Sequence, residues 1–152
     1  MNHNKEIKIL TGGTFDLFHS GHLNILKQAK SLGTYLIVAV STDDLVRTYK
    51  EEPIMTFEDR CNIIKSIIYV DEVVGQTSLF DVTQFKSLDA DYFVVGNDWE
   101  SNTSNKGLNW FRDNQKLKFI PYTKGLSTTK IKEKIISNSK TSMYIAGQDD
   151  SE

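Results

Sequence analysis

Short apolar runs alternate along this chain with segments whose apolar residues recur every three or four positions. The runs are Ile7–Leu10, Tyr35–Val40, Glu72–Val74, Tyr92–Val95 and Lys118–Ile120. Each is short and most are rich in Val, Ile, Tyr or Phe, the signature of strands buried on both faces. Between the first two, Leu23, Leu26, Ala29 and Leu32 keep helical spacing and Gly33 marks the helix end. Thr56, with Asp59 at the third position, resembles a capping box ahead of Ile63, Ile64 and Ile67. Asp81 or Thr83 starts a helix containing Phe85 and Leu88, and Ser127 or Thr128 caps a last helix carrying Ile131 and Ile135. Strand and helix therefore alternate, which predicts an α/β fold of about five parallel strands with helices on both faces. Ligands of such sheets bind beyond the carboxyl ends of the strands, where the strand order reverses.

Composition narrows the class of partner. The chain has 152 residues, 39% hydrophobic and 25% charged, which suits one ordinary domain with a real core. That domain is expected over residues 1–137, with a polar tail over 138–152. The tail is expected to be mobile, although Met143, Tyr144 and Ile145 could dock on a partner subunit. No apolar run approaches the ~20 residues of a membrane span. The first five residues lack an apolar leader core, so nothing directs export and a cytoplasmic location is expected. The single cysteine, Cys61, fits a reducing compartment. A net charge of −2 argues against nucleic acid as the main partner. A chain of this charge can still bind a polyphosphate where its few cations converge.

The densest chemistry lies in Gly12-Gly-Thr-Phe-Asp-Leu-Phe-His-Ser-Gly21, closed by His22, where the first strand turns into the first helix. A helix N-terminus carries unpaired N–H groups and partial positive charge, so it favours a phosphate. Glycines let the backbone approach that phosphate, and two imidazoles three residues apart add donors. Metal binding is the competing use of histidine, but His3 is the only other histidine and no set of zinc ligands is evident. The glycine spacing is neither the dinucleotide fingerprint nor a P-loop.

With three further segments in order, this stretch resembles the HxGH nucleotidylyltransferases, and within them the cytidylyltransferases. The segments are Arg47–Arg60, which carries Lys50; Tyr69-Val-Asp-Glu-Val73; and Gly125-Leu-Ser-Thr-Thr-Lys-Ile131. Gly96-Asn-Asp-Trp99 adds to them, and the likeness runs from about Lys8 to Ile136. It is nearest to the bacterial glycerol-3-phosphate branch. The resemblance implies a Rossmann-like nucleotidylyltransferase fold, transfer of CMP from CTP to an alcohol phosphate, and release of pyrophosphate. Glycerol 3-phosphate would then give CDP-glycerol for a cell-surface polymer. A homodimer is implied, with Mg²⁺ held mainly by the CTP phosphates and no metal site of the protein's own.

Site residues carry over by position. His19, His22 and Lys50 would be catalytic, with Arg47 a less certain companion to Lys50. Gly13, Thr14, Phe15, Gly96, Asp98, Trp99, Gly125, Ser127, Thr128 and Thr129 would join the histidines in binding nucleotide. Asp16, Lys50, Arg60 and Tyr122 would bind the acceptor. Asp16 could instead accept backbone N–H groups, Arg60 could form an ion pair, and Trp99 could belong to the core. Lys124 and Lys130 read as solvated charges. Ile68 and Tyr122 stand where the family commonly has arginine, which lowers the positive charge expected at the site and weakens the acceptor assignment; Lys124 could partly compensate. The alternatives are another acceptor such as phosphoethanolamine, phosphocholine or a different polyol phosphate; ATP in place of CTP; or a nucleotide-binding regulatory module without catalysis.

Overall fold

The computed structural model describes residues 5–123 and 125–146. Five parallel strands form one sheet: β1 (Lys8–Gly13), β2 (Tyr35–Ser41), β3 (Glu72–Gln76), β4 (Tyr92–Gly96) and β5 (Leu117–Ile120), in the order β3-β2-β1-β4-β5. The chain works outward from β1 to β3 and then returns to place β4 on the other side of β1. The order therefore reverses at the β1–β4 boundary, where a crevice opens beyond the strand ends.

Alternation along each strand divides the apolar residues between two faces. Ile9, Leu36, Val38, Val40 and Val94 pack with Leu26 and Ala29 of α1 (Ser20–Ser31) and with Cys61 and Ile64 of α3 (Phe57–Lys65). Leu10, Ile37, Ala39, Phe93 and Val95 pack with Phe85 of α4 (Val82–Ser87) and with Leu108 and Phe111 of α5 (Lys106–Asp113). A short α2 (Asp43–Arg47) follows β2, and α6 (Thr128–Ala146) closes the described chain.

Thr56 and Asp81 both cap their helices, Thr56 without the reciprocal Asp59 bond of a capping box among the described hydrogen bonds. Thr56 accepts from the Asp59 amide at 3.2 Å, and Asp81, rather than Thr83, accepts from the Gln84 amide at 3.0 Å. Gly33 follows directly on the C-cap of α1, as expected, and has a packing role as well. A side chain there would stand 2.6 Å from the Ile7 carbonyl, so glycine permits close packing of the helix end on β1. Helices α2 and α5 were not legible from apolar spacing. Five residues are too few for a period, and α5 takes its start from Asn105, which accepts from the Leu108 amide.

β1 continues to Gly13, three residues past the apolar run, because β2 pairs with it as far as Gly13 opposite Val40. α6 likewise crosses the expected boundary at residue 137 and continues to Ala146. Residues 147–152 and the side chains of Met143, Tyr144 and Ile145 lie outside the described residues, as does Lys124.

Candidate active site

The turn from β1 into α1 places both histidines at the crevice. Phe15 and Leu17 adopt left-handed backbone, φ 55° and 48°, which turns the chain sharply before the helix. His19 is the N-cap of α1, and His22 stands in its first turn. The Gly21 amide donates to His19 Nδ1 at 3.1 Å, and the His19 amide donates to His22 Nδ1 at 3.2 Å. A nitrogen that accepts from a backbone N–H carries a lone pair, so each neutral imidazole holds its proton on Nε2. The rings stack with centroids 3.8 Å apart, and Phe15 meets His22 edge-on at 5.4 Å. A side chain at Gly21 would stand 2.8 Å from the His19 ring, so glycine keeps that imidazole over the helix end.

Both histidines favour the neutral form. Burial lowers the pKa of His19. Burial lowers that of His22 further, to about 3, with additional repulsion from His19 and Lys50 opposed by Asp16. The site thus presents neutral Nε2–H donors at pH 7, which suits stabilisation of phosphate oxygens and does not suit proton abstraction.

Three adjoining cavities, of about 420, 360 and 150 Å³, form one cleft, and Thr14 and Lys50 border all three. The largest runs over Gly12 and Gly13 to Gly96, Asp98, Trp99 and Tyr122. The smallest is bounded by Gly13, Phe15, Asp16, His22 and Thr128. The third lies between the loop after α2 and the start of α6, with Thr129 and Lys132 on its wall. Segments distant in sequence therefore converge on one cleft. His19 stacks on His22 without bordering the cavities.

Other expected residues hold the frame. Asp16 is buried and accepts from the amides of Ile54 at 2.8 Å and Met55 at 3.0 Å, anchoring the segment that leads into α3. Its carboxylate is engaged by the backbone, the alternative reading of the sequence. Arg60 is 0% exposed and borders none of the cavities described, a correction to its expected place at the acceptor. It donates to the carbonyls of Met55, Thr14 and Ser41 and to Asp43 at 2.6 Å, so the ends of β1 and β2, the start of α2 and the loop are tied together. Arg47 pairs with Asp44 and Glu52. Ser127 caps α6, accepting from the Lys130 amide, while the Thr128 hydroxyl donates to the Asp16 carbonyl. Gly125 has φ 86° with open space around it and shapes the turn into α6.

Trp99 meets Phe80 edge-on at 4.9 Å and also borders the cleft. Tyr122 is 45% exposed at the rim. Ile68 is 89% exposed and outside the cavities described, so its departure from arginine removes no charge from the cleft within this chain. Apolar spacing gave no sign of Tyr49, whose hydroxyl lies 3.2 Å from the Thr14 hydroxyl, or of Gln76. A polar residue ending an apolar parallel strand was the available signal for Gln76.

Among the described residues no group of three His, Cys, Asp or Glu side chains is placed to hold a metal ion. The one carboxylate bordering the smallest cavity, Asp16, is taken up by amides. A Mg²⁺ here would be held by nucleotide phosphates and water.

Residues 10–134 match the cytidylyltransferase-like family model. The chain is 40% identical over 129 residues to glycerol-3-phosphate cytidylyltransferase of Bacillus subtilis (strain 168), covering 84% of this chain and 96% of that one. It is 45% identical over 96 residues to FAD synthase of Thermococcus kodakarensis, covering 62% of this chain and 64% of the relative. The lipopolysaccharide core biosynthesis protein of Thermoplasma volcanium shares the fold at a TM-score of 0.64, with 22% identity and coverage of 78% and 98%. With the paired imidazoles at the sheet's crevice and a match spanning most of its length, this chain belongs to the cytidylyltransferase-like family.

Proposed function

We propose that the protein transfers CMP from CTP to glycerol 3-phosphate, giving CDP-glycerol and pyrophosphate. The observation that carries this reading is the pair of neutral imidazoles, each fixed through Nδ1 and aiming an Nε2–H from a helix N-terminus beside the cleft. In the reaction an oxygen of the acceptor phosphate forms a bond to the α-phosphorus, the bond from that phosphorus to the bridging oxygen breaks, and pyrophosphate leaves. The nucleophile is already anionic near neutral pH, so no general base is needed. The enzyme must align two polyanions and stabilise charge developing on phosphoryl oxygens.

His22 and His19 would donate to those oxygens, and the α6 N-terminus with Thr128 and Thr129 would receive the departing phosphates. Lys50, exposed on the loop after α2 and bordering every part of the cleft, is the cation placed to close over both substrates. Gly96, Asp98, Trp99 and Tyr122 would take the nucleoside. Mg²⁺ bound to the nucleotide would screen its phosphates.

Glycerol 3-phosphate as acceptor is supported by relatives from several bacteria that carry that activity in their names. Phosphoethanolamine remains the second acceptor to test, supported by 33% identity to ethanolamine-phosphate cytidylyltransferase of Dictyostelium discoideum. The reading extends to a homodimer, for which exposed Ile68, Ile135 and Ile136 offer apolar surface, and to a cytoplasmic supply of CDP-glycerol for a surface polymer. No helix among the described residues is long and apolar enough to cross a membrane. The first experiment is a pyrophosphate-release screen crossing four nucleoside triphosphates with glycerol 3-phosphate, phosphoethanolamine and phosphocholine; CTP with glycerol 3-phosphate should give the highest rate.

A further inference from the structure

The largest cavity has a floor to which the reading above gives no task. From Gly12 it reaches the ends of β2 and β3, where Ser41 and Gln76 face each other in register. Gln76 is 2% exposed. Its carbonyl accepts from the Thr42 amide, and its side-chain Oε1 accepts from the Ser41 hydroxyl at 3.2 Å. The amide lies close against Gly12, since a Cβ there would stand 2.8 Å from Nε2 and 3.2 Å from Cδ. Its plane is thus fixed by Gly12, and Ser41 fixes which end is the oxygen.

This leaves the Nε2 donors bordering the cleft with no protein partner among the described hydrogen bonds. A donor fixed in this way on the wall of a cleft is placed to meet a ligand oxygen. Ser41, Tyr49, Leu79 and Phe80 line the same cavity, whose charged side chains, Lys50 and Asp98, stand on the loop after α2 and beyond β4. An N–H donor cannot pair with an ammonium group, which has no lone pair to offer.

We propose that Gln76 determines acceptor specificity, its Nε2 donating to a hydroxyl oxygen of a neutral polyol phosphate, an assignment that rests on the cytidylyltransferase reading above. Wider discrimination follows from the same geometry, because a site built to bond a hydroxyl rejects the analogue that lacks it.

The test is steady-state kinetics with CTP and three acceptors: glycerol 3-phosphate, 3-hydroxypropyl phosphate (which lacks the middle hydroxyl) and phosphoethanolamine. The wild-type protein should prefer glycerol 3-phosphate to 3-hydroxypropyl phosphate. Gln76→Leu should raise the KM for glycerol 3-phosphate roughly tenfold, about the worth of one hydrogen bond, abolish that preference and leave the KM for CTP unchanged. Gln76→Glu keeps the side-chain shape and an oxygen for Ser41, so it covers the case in which the leucine variant does not fold. It should move the preference towards phosphoethanolamine. A raised KM for CTP with an unchanged acceptor KM, or acceptor preferences unaltered in Gln76→Glu, would overturn the proposal. Failure of the cytidylyltransferase reading itself has a separate signature, an inactive wild-type protein with CTP and every acceptor, and the proposal falls with it.

Discussion

His19 and His22 stack with ring centroids 3.8 Å apart, and each gives its Nδ1 to a backbone amide of the same helical turn. The local hydrogen bonds orient the two donors before any substrate arrives, so little reorganisation accompanies the reaction. Replacing His22 by Ala should lower turnover about 10²–10³-fold while leaving the fold intact. For His19 the sharper variant is Asn, which retains N-capping capacity but lacks the imidazole donor. Thermal unfolding should hardly change in His19→Asn while turnover falls as in His22→Ala. Near-normal turnover in both would remove the phosphate role.

The same pair predicts a pH dependence of stability in the ligand-free protein. His22 has its pKa lowered to about 3 from 6.5, first by burial and then by the charges of His19 and Lys50. The unfolded chain therefore binds more protons than the folded one as pH falls below 6.5, so acid favours unfolding. Between pH 7 and 5 this histidine should withdraw about 2 kcal/mol of stability. Denaturant midpoints at the two pH values should differ more in the wild type than in His22→Gln.

Lys50 should behave as a cation on a closing loop. The loop after α2 is pinned at its start by the Lys50 amide on the Val46 carbonyl and at its end by the Ile54 and Met55 amides on Asp16. Residues 51–53 between the pins should exchange amide hydrogens quickly in the free protein and slowly with CTP bound. Lys50→Ala should reduce turnover by about 10²-fold or more, as expected for loss of a group that stabilises transition-state charge.

Arg60 separates a structural role from a binding one. Its removal would leave the Thr14 and Ser41 carbonyls without their buried donor and Asp43 without its ion pair. Arg60→Met should destabilise the fold by about 3 kcal/mol or more. A large loss in unfolding midpoint is expected; a rise in acceptor KM at unchanged stability would show that the guanidinium reaches substrate.

The sheet was legible because burial on both faces leaves short apolar runs, and the crevice followed from where those runs end. Histidine spacing pointed to the start of α1 because a helix N-terminus is a local feature. Arg60 and Asp16 each admitted two readings for one reason: both are charged residues beside the motifs, and sequence shows neither burial nor partners. Gln76 escaped notice because its environment is assembled from Gly12 of β1 and Ser41 of β2, which are distant from it in sequence. Ile68 shows the converse, a departure from the family pattern that lies outside the cleft of this chain.

The most direct measurement is identification of the product. Purified protein is incubated with Mg²⁺, CTP and glycerol 3-phosphate, and separately with ATP and FMN, the pairing suggested by the FAD synthase relative. Products are followed by ³¹P NMR and mass spectrometry. CDP-glycerol and pyrophosphate should form in equal amounts in the first mixture, should be reduced at least 10²-fold in His22→Ala, and should be absent from the second. Formation of FAD in the second mixture, with no CDP-glycerol in the first, would contradict the assignment.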